Sequence, residues 1–108
     1  MMRLAAVVAL VPDVAEPDLA DWIARGWVMP EGEPPDWRFA EIDVARVRLV
    51  RDLLHDLAVE QETLSLVLTL LDQVYALRRS LAEVLAAAET QPEPVRRALL
   101  AALRRQAR

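Results

Sequence analysis

Val67, Leu70, Val74, Leu77, Leu81, Val84 and Ala88 recur at steps of three and four over three heptads. That spacing predicts one long α-helix with an apolar seam, running from roughly Gln61 to Glu89. At 1.5 Å per residue it is on the order of 40 Å long. A second stripe, Leu64, Leu68, Leu71 and Tyr75, covers only the first half. Two apolar faces early and one late imply that the first half packs on its own domain and also on something else. The second half is expected to protrude, with only a partner helix to pack on. A chain of 108 residues cannot cover such a helix alone, so the pattern predicts a homodimer. Its expected interface is Val67, Leu70, Val74, Leu77, Leu81 and Val84.

A chain of this length has room for one core. Apolar residues make up 55%, Gly occurs twice and aromatics are few. That balance argues against disorder and favours packed helices over a sandwich of short strands. No Cys is present, which excludes a disulfide scaffold and Cys-ligated zinc. The net charge of −4 argues against generic binding to nucleic acid or to a membrane surface. Leu4–Val11 is apolar but too short to span a bilayer. It has only Arg3 before it and no small-residue cleavage pattern before Pro12 and Asp13, so a signal peptide is not expected. The cytoplasm is the expected compartment.

Leu4–Val11 reads either as a short strand or as a buried helical turn, since periodicity does not separate the two over so few residues. Glu16-Pro17-Asp18 opens a helix, with Pro tolerated in the first turn and acids favoured there by the helix dipole. That helix carries Leu19, Trp22 and Ile23 on one face, and Gly26 ends it. An acidic, Pro-rich hairpin or loop follows, Glu31 to Asp36, and Trp37-Arg38-Phe39 alternates as a short strand does. From Glu41 to Leu57 the pattern is helical. Val47, Val50, Leu54 and Leu57 form its stripe, and Val44 and Leu53 widen it. Ala40 stands where a polar cap is expected, so only Glu41 and Asp43 help that terminus. Thr90-Gln91-Pro92-Glu93 fits a capping box. The last helix, Val95 to about Gln106, has Val95, Leu99, Ala102 and Leu103 on one side and Arg96, Arg97, Arg104, Arg105 and Arg108 around the rest.

Catalytic chemistry is not expected. The lone His55 has no companion ligand at helical spacing, so no metal site is expected. There is no Gly-rich phosphate loop, no nucleophile elbow and no Cys nucleophile. Glu60 and Glu62 lie in a polar connection and read as solvated carboxylates. No cofactor is implied. Trp22, Trp27 and Trp37 are assigned to the core of the small N-terminal domain, with at least one indole left partly exposed.

A short helix-turn-helix, an acidic wing, a helix and a long coiled-coil helix form a winged-helix layout of the MerR type. Trp37-Arg38-Phe39 followed by a helix, then His55-Asp56-Leu57, resembles the CbpM family of chaperone modulators within that superfamily. Val67-Leu68-Thr69-Leu70-Leu71-Asp72 with Leu77-Arg78 resembles it too. The resemblance covers about residues 6 to 85. It implies a MerR-like winged domain over residues 1–60; with the seam and the Arg pattern read above, the expected fold is mainly α, with a dimerisation helix over 61–89 and an Arg-rich helix or tail over 90–108. The resemblance further implies a non-catalytic inhibitor that binds the J-domain of a DnaJ-like, CbpA-type co-chaperone. Ala58 departs from the Gly common after this helix in the superfamily, and residues 91–108 have no counterpart in it.

Charge separates this expectation from its sister, a MerR-type DNA-binding transcriptional regulator. Residues 1–43 hold nine acids and three Arg, and residues 95–108 hold five Arg and no acid. The basic tail is expected either to fold back on an acidic surface or to be a solvated terminus. Asp18 and Asp21 stand at the front of the second helix of the motif, and Glu31, Glu33 and Asp36 stand in the wing. Phosphate contacts at those places need Arg or Lys. Acids there suit a basic protein face, such as that on the second helix of a J-domain. Those five residues are the candidate partner-binding set, and nucleic acid is not the expected partner. A generic coiled-coil dimer with a vestigial motif is the third expectation.

Overall fold

The computed structural model describes residues 1–107. Arg108, assigned above to the basic decoration of the last helix, lies outside the described residues. Five helices are described: α1 (Leu4–Leu10), α2 (Glu16–Ala24), α3 (Glu41–His55), α4 (Gln61–Glu89) and α5 (Glu93–Gln106). The fold is mainly helical, as the composition favours. The chain divides into two compact units, Met1–Thr69 and the residues from Leu70 onward.

The first unit holds the whole described core. Val7, Val11, Leu19, Phe39, Val47, Val50 and Leu64 are each 1% exposed or less. The open choice for Leu4–Val11 resolves to a helix, which buries Val7 and packs on α2. The intervening turn bends at Asp13, whose φ of 64° is a left-handed conformation that Asp tolerates better than most residues. Pro17 sits in the first turn of α2, where its missing N–H costs nothing. Gly26, at φ 77°, closes that helix. Its N–H bonds the Ile23 carbonyl at 3.0 Å, and the Trp27 N–H bonds the Trp22 carbonyl at 3.0 Å. This pair of bonds is the Schellman ending that a Gly after a helix predicts.

The wing is smaller than the alternation of Trp37-Arg38-Phe39 predicts. It consists of single antiparallel bridges, Glu31 with Arg38 and Met2 with Phe39, and no strand forms among the described residues. Gly32 turns the tip at φ 88°. A Cβ there would stand 3.0 Å from the Asp36 carbonyl oxygen, so the close return of the chain requires Gly. Phe39 is buried, whereas Trp37 is partly exposed; Trp22 and Trp27 are buried.

α3 buries Val44, Val47, Val50 and Leu53. The sequence stripe continued through Leu54 to Leu57, and this is corrected. The helix stops at His55, Leu54 is half-buried, and Leu57 is 68% exposed. The chain leaves the helical path at Ala58, whose φ is 49°. The Val59 N–H then reaches back to the Leu53 carbonyl at 2.9 Å. The start of α4 completes this unit by burying Leu64 and Leu68, the stripe expected to face the chain's own domain.

The second unit contains the rest of α4 and α5. Thr90 does not cap α5 as its sequence pattern suggested. Its hydroxyl donates to the Ala87 carbonyl at 2.7 Å, so it closes the end of α4. Pro92 is the N-cap of α5 and offers no side-chain acceptor. Glu93 instead pairs with Arg97 one turn on. No helix among the described residues is long and apolar enough to cross a membrane.

Candidate protein-interaction surface

The five acids singled out by charge do not share one role. Asp18 is the third residue of α2, and its carboxylate accepts the Ala15 N–H at 3.0 Å. Ala15 has no side-chain acceptor to return the bond. Asp18 is therefore half of a capping box and satisfies one of the helix's open donors. Asp43 does the same for α3, accepting the Ala40 N–H at 2.8 Å. Asp21 accepts from Arg25 Nε at 2.8 Å, one turn along α2. Asp36 lies 3.9 Å from the Arg3 guanidinium, an exposed pair of small energetic weight.

Glu31 and Glu33 differ from these three. Both are exposed, and among the described residues neither carboxylate is held by a hydrogen bond or an ion pair. Their backbone is fixed all the same. The Glu31 N–H and carbonyl bond Arg38 at 2.9 and 2.8 Å, and the Glu33 carbonyl accepts the Asp36 N–H at 2.7 Å. The wing thus holds two uncommitted carboxylates on an ordered turn. Just before them in the chain, Met29 is 77% exposed. The charge count overlooked this residue, and an apolar side chain beside free acids suits a protein surface better than phosphate.

Basic groups in this unit are largely occupied. Arg46 donates Nε–H to the Trp27 carbonyl at 2.8 Å. Arg51 pairs with Asp52. Arg25 lies 5.2 Å from the Trp27 ring centroid, within cation–π range. Arg38 donates to the Asp36 carbonyl at 3.2 Å. Arg48 is exposed on α3. Over residues 1–69 there are thirteen acids and six Arg.

The expected self-association seam divides by exposure. Val67 is half-buried in the first unit. Leu70, Val74, Leu77, Leu81 and Val84 are all exposed, Leu77 to 70%. Among the described residues no cluster of three or more His, Asp or Glu is placed to hold a metal. His55 is exposed at the end of α3.

A family model described as MerR HTH family regulatory protein matches residues 13–85. That span runs from the turn before α2 to the later part of α4. No curated protein and no solved structure matches the chain.

Proposed function

The chain belongs to the MerR HTH family of regulatory proteins, and on that premise we propose that it is a non-catalytic modulator of a DnaJ-like co-chaperone. In this reading the acidic winged-helix unit binds the J-domain and keeps it from its chaperone partner. The chain acts as a homodimer through Val67, Leu70, Val74, Leu77, Leu81 and Val84, and it needs no cofactor. The observation that carries the proposal is the wing. Glu31 and Glu33 offer two uncommitted carboxylates where a DNA-binding winged helix needs cations, and such acids attract a basic protein face. The resemblance of Trp37-Arg38-Phe39, His55-Asp56-Leu57 and the Val67–Asp72 segment to the CbpM family supplies the identity of the partner.

The family description fits a second reading equally, a transcription regulator that binds DNA. Arg48, exposed on α3, is the residue that favours it. Most other arginines of this unit are engaged within it, which counts against a phosphate surface.

Charge reversal separates the two. Asp18 and Asp21 are unsuitable targets, because reversing them removes a cap and an ion pair of α2. Glu31→Lys with Glu33→Lys changes only the wing. The double variant is expected to bind a purified J-domain at least about tenfold more weakly in titration calorimetry, a loss of about 1.4 kcal/mol. The difference should shrink as salt rises. Unchanged J-domain affinity, together with salt-sensitive retardation of duplex DNA that Arg48→Ala abolishes, decides for the regulator.

A further inference from the structure

One arginine of the first unit is uncommitted. Arg3, Arg25, Arg38, Arg46 and Arg51 each meet an acid or a backbone carbonyl. Among the described residues no hydrogen bond or ion pair holds Arg48. It borders a groove of about 740 Å³ that Leu10, Met2, Phe39 and Val44 line with apolar groups. Phe39 and Val44 are buried and form a fixed floor, whereas Leu10 is 46% exposed. Glu41 borders the same groove, and among the described residues its carboxylate is not held either. Asp43 makes the capping bond of α3, so Glu41 is not needed for it. Glu41, Val44 and Arg48 follow at steps of three and four and share one face of α3. Seven residues place the two charged positions about 10 Å apart along the helix.

We infer that this groove takes an amphipathic helix of a protein partner, lying antiparallel to α3. A Lys or Arg of that helix meets Glu41, an Asp or Glu two turns away meets Arg48, and aliphatic side chains between them pack on Leu10 and Met2. This occupant rests on the protein-partner reading above and refines it. Acids in the wing alone call for a uniformly basic face, whereas the groove calls for an acid at the far end of the partner helix.

The order of charges selects the occupant. An antiparallel helix has its C-terminal end at Glu41 and its N-terminal end at Arg48. A base at the first and an acid at the second also suit the dipole of that helix. An apolar stripe between them is the usual content of a helix-in-groove contact. A polyanion would gain Arg48 but be repelled by Glu41, and the apolar floor offers no donor to phosphate. The groove also adjoins the wing. Phe39 exchanges both backbone bonds with Met2 at 2.8 and 2.9 Å, while its neighbour Arg38 exchanges both with Glu31 at the same lengths. Glu41 follows Phe39 by two residues, so the wing acids and Glu41 favour the same, basic end of the partner helix.

Two labelled helical peptides of about four turns test the charge order. Both carry the same leucine stripe. One has Glu near its N-terminal end and Arg seven positions later, and the other has the two exchanged. Fluorescence anisotropy with the full chain is expected to show the first bound at least about tenfold more tightly. Glu41→Arg with Arg48→Glu is expected to invert that preference, an outcome that unfolding cannot produce. Leu10→Asp is expected to weaken both peptides at least about tenfold. Equal affinities, no binding of either peptide, or a preference that the charge exchange leaves unchanged overturns the inference. So does binding of duplex DNA through Arg48 without any peptide preference. A purified J-domain separates the groove from the modulator reading. If Glu31→Lys with Glu33→Lys weakens J-domain binding while Arg48→Glu and Leu10→Asp leave it unchanged, the groove inference falls and the modulator reading stands. If the J-domain does not bind while the peptide preference inverts as expected, the modulator reading falls and the groove inference stands.

Discussion

The Trp27 indole donates its Nε1–H to the Ser65 hydroxyl at 2.9 Å, across 38 positions of chain. The Trp27 carbonyl meanwhile accepts from Arg46 at 2.8 Å, and its N–H closes the end of α2 on the Trp22 carbonyl. One residue therefore ties the end of α2 to the middle of α3 and to the second turn of α4. Ser65 stands inside an apolar helix, and it is the acceptor that satisfies a buried indole. Ser65→Ala is expected to cost about 1 kcal/mol, because it leaves a largely desolvated donor unpaired. Urea unfolding followed by circular dichroism measures this. A double-mutant cycle with Trp27→Phe should give a cost well below the sum of the single changes. Strict additivity would show that the bond contributes nothing.

Asp43 and Asp18 each supply the acidic half of a capping box whose other half is Ala. Replacing either by Ala should destabilise the first unit by about 1 kcal/mol, through a lost helix-start hydrogen bond and a lost favourable charge at the dipole. Asp43→Asn, which keeps an acceptor oxygen, should recover part of that loss. If Asn and Ala prove equally costly, charge at the helix end outweighs the hydrogen bond.

Ala58 occupies a left-handed conformation at φ 49°. A non-Gly residue there costs roughly 1–2 kcal/mol, and Gly gives back up to about 1 kcal/mol through its freer unfolded state. Ala58→Gly is thus expected to stabilise the first unit by about 0.5 kcal/mol. The denaturation midpoint should rise with its slope unchanged. A fall in the midpoint would show that the Ala methyl makes contacts that outweigh the strain.

The helices after α1 were legible because each carries its own local signal, whereas α1 is too short for periodicity to separate helix from strand. Pro17 and Gly26 bracket α2, and the seam from Val67 to Ala88 marks α4, whose ends at Gln61 and Glu89 match the sequence pattern. Those signals act within one or two turns, so no distant residue is needed to read them. Errors fell where a partner decides. Leu57 continues the α3 pattern, but the chain breaks away at Ala58 and leaves it exposed. Thr90 resembles a cap, yet its hydroxyl finds the Ala87 carbonyl first. The acids of α2 and the wing looked alike as charges. Only their hydrogen bonds separate Asp18 and Asp21, which serve their own helix, from Glu31 and Glu33, which are uncommitted.

From its sequence alone the protein is a helical member of a winged-helix superfamily, with an acidic first half and a long apolar seam. Periodicity, Gly and Pro positions and charge are properties of neighbours along the chain, and they survive without tertiary contacts. The tertiary structure decided which apolar side chains have a core to enter and which lack one. It also decided which acids already have partners. Both depend on packing between segments far apart in sequence, as the Trp27–Ser65 bond does, and periodicity carries no information about such distances.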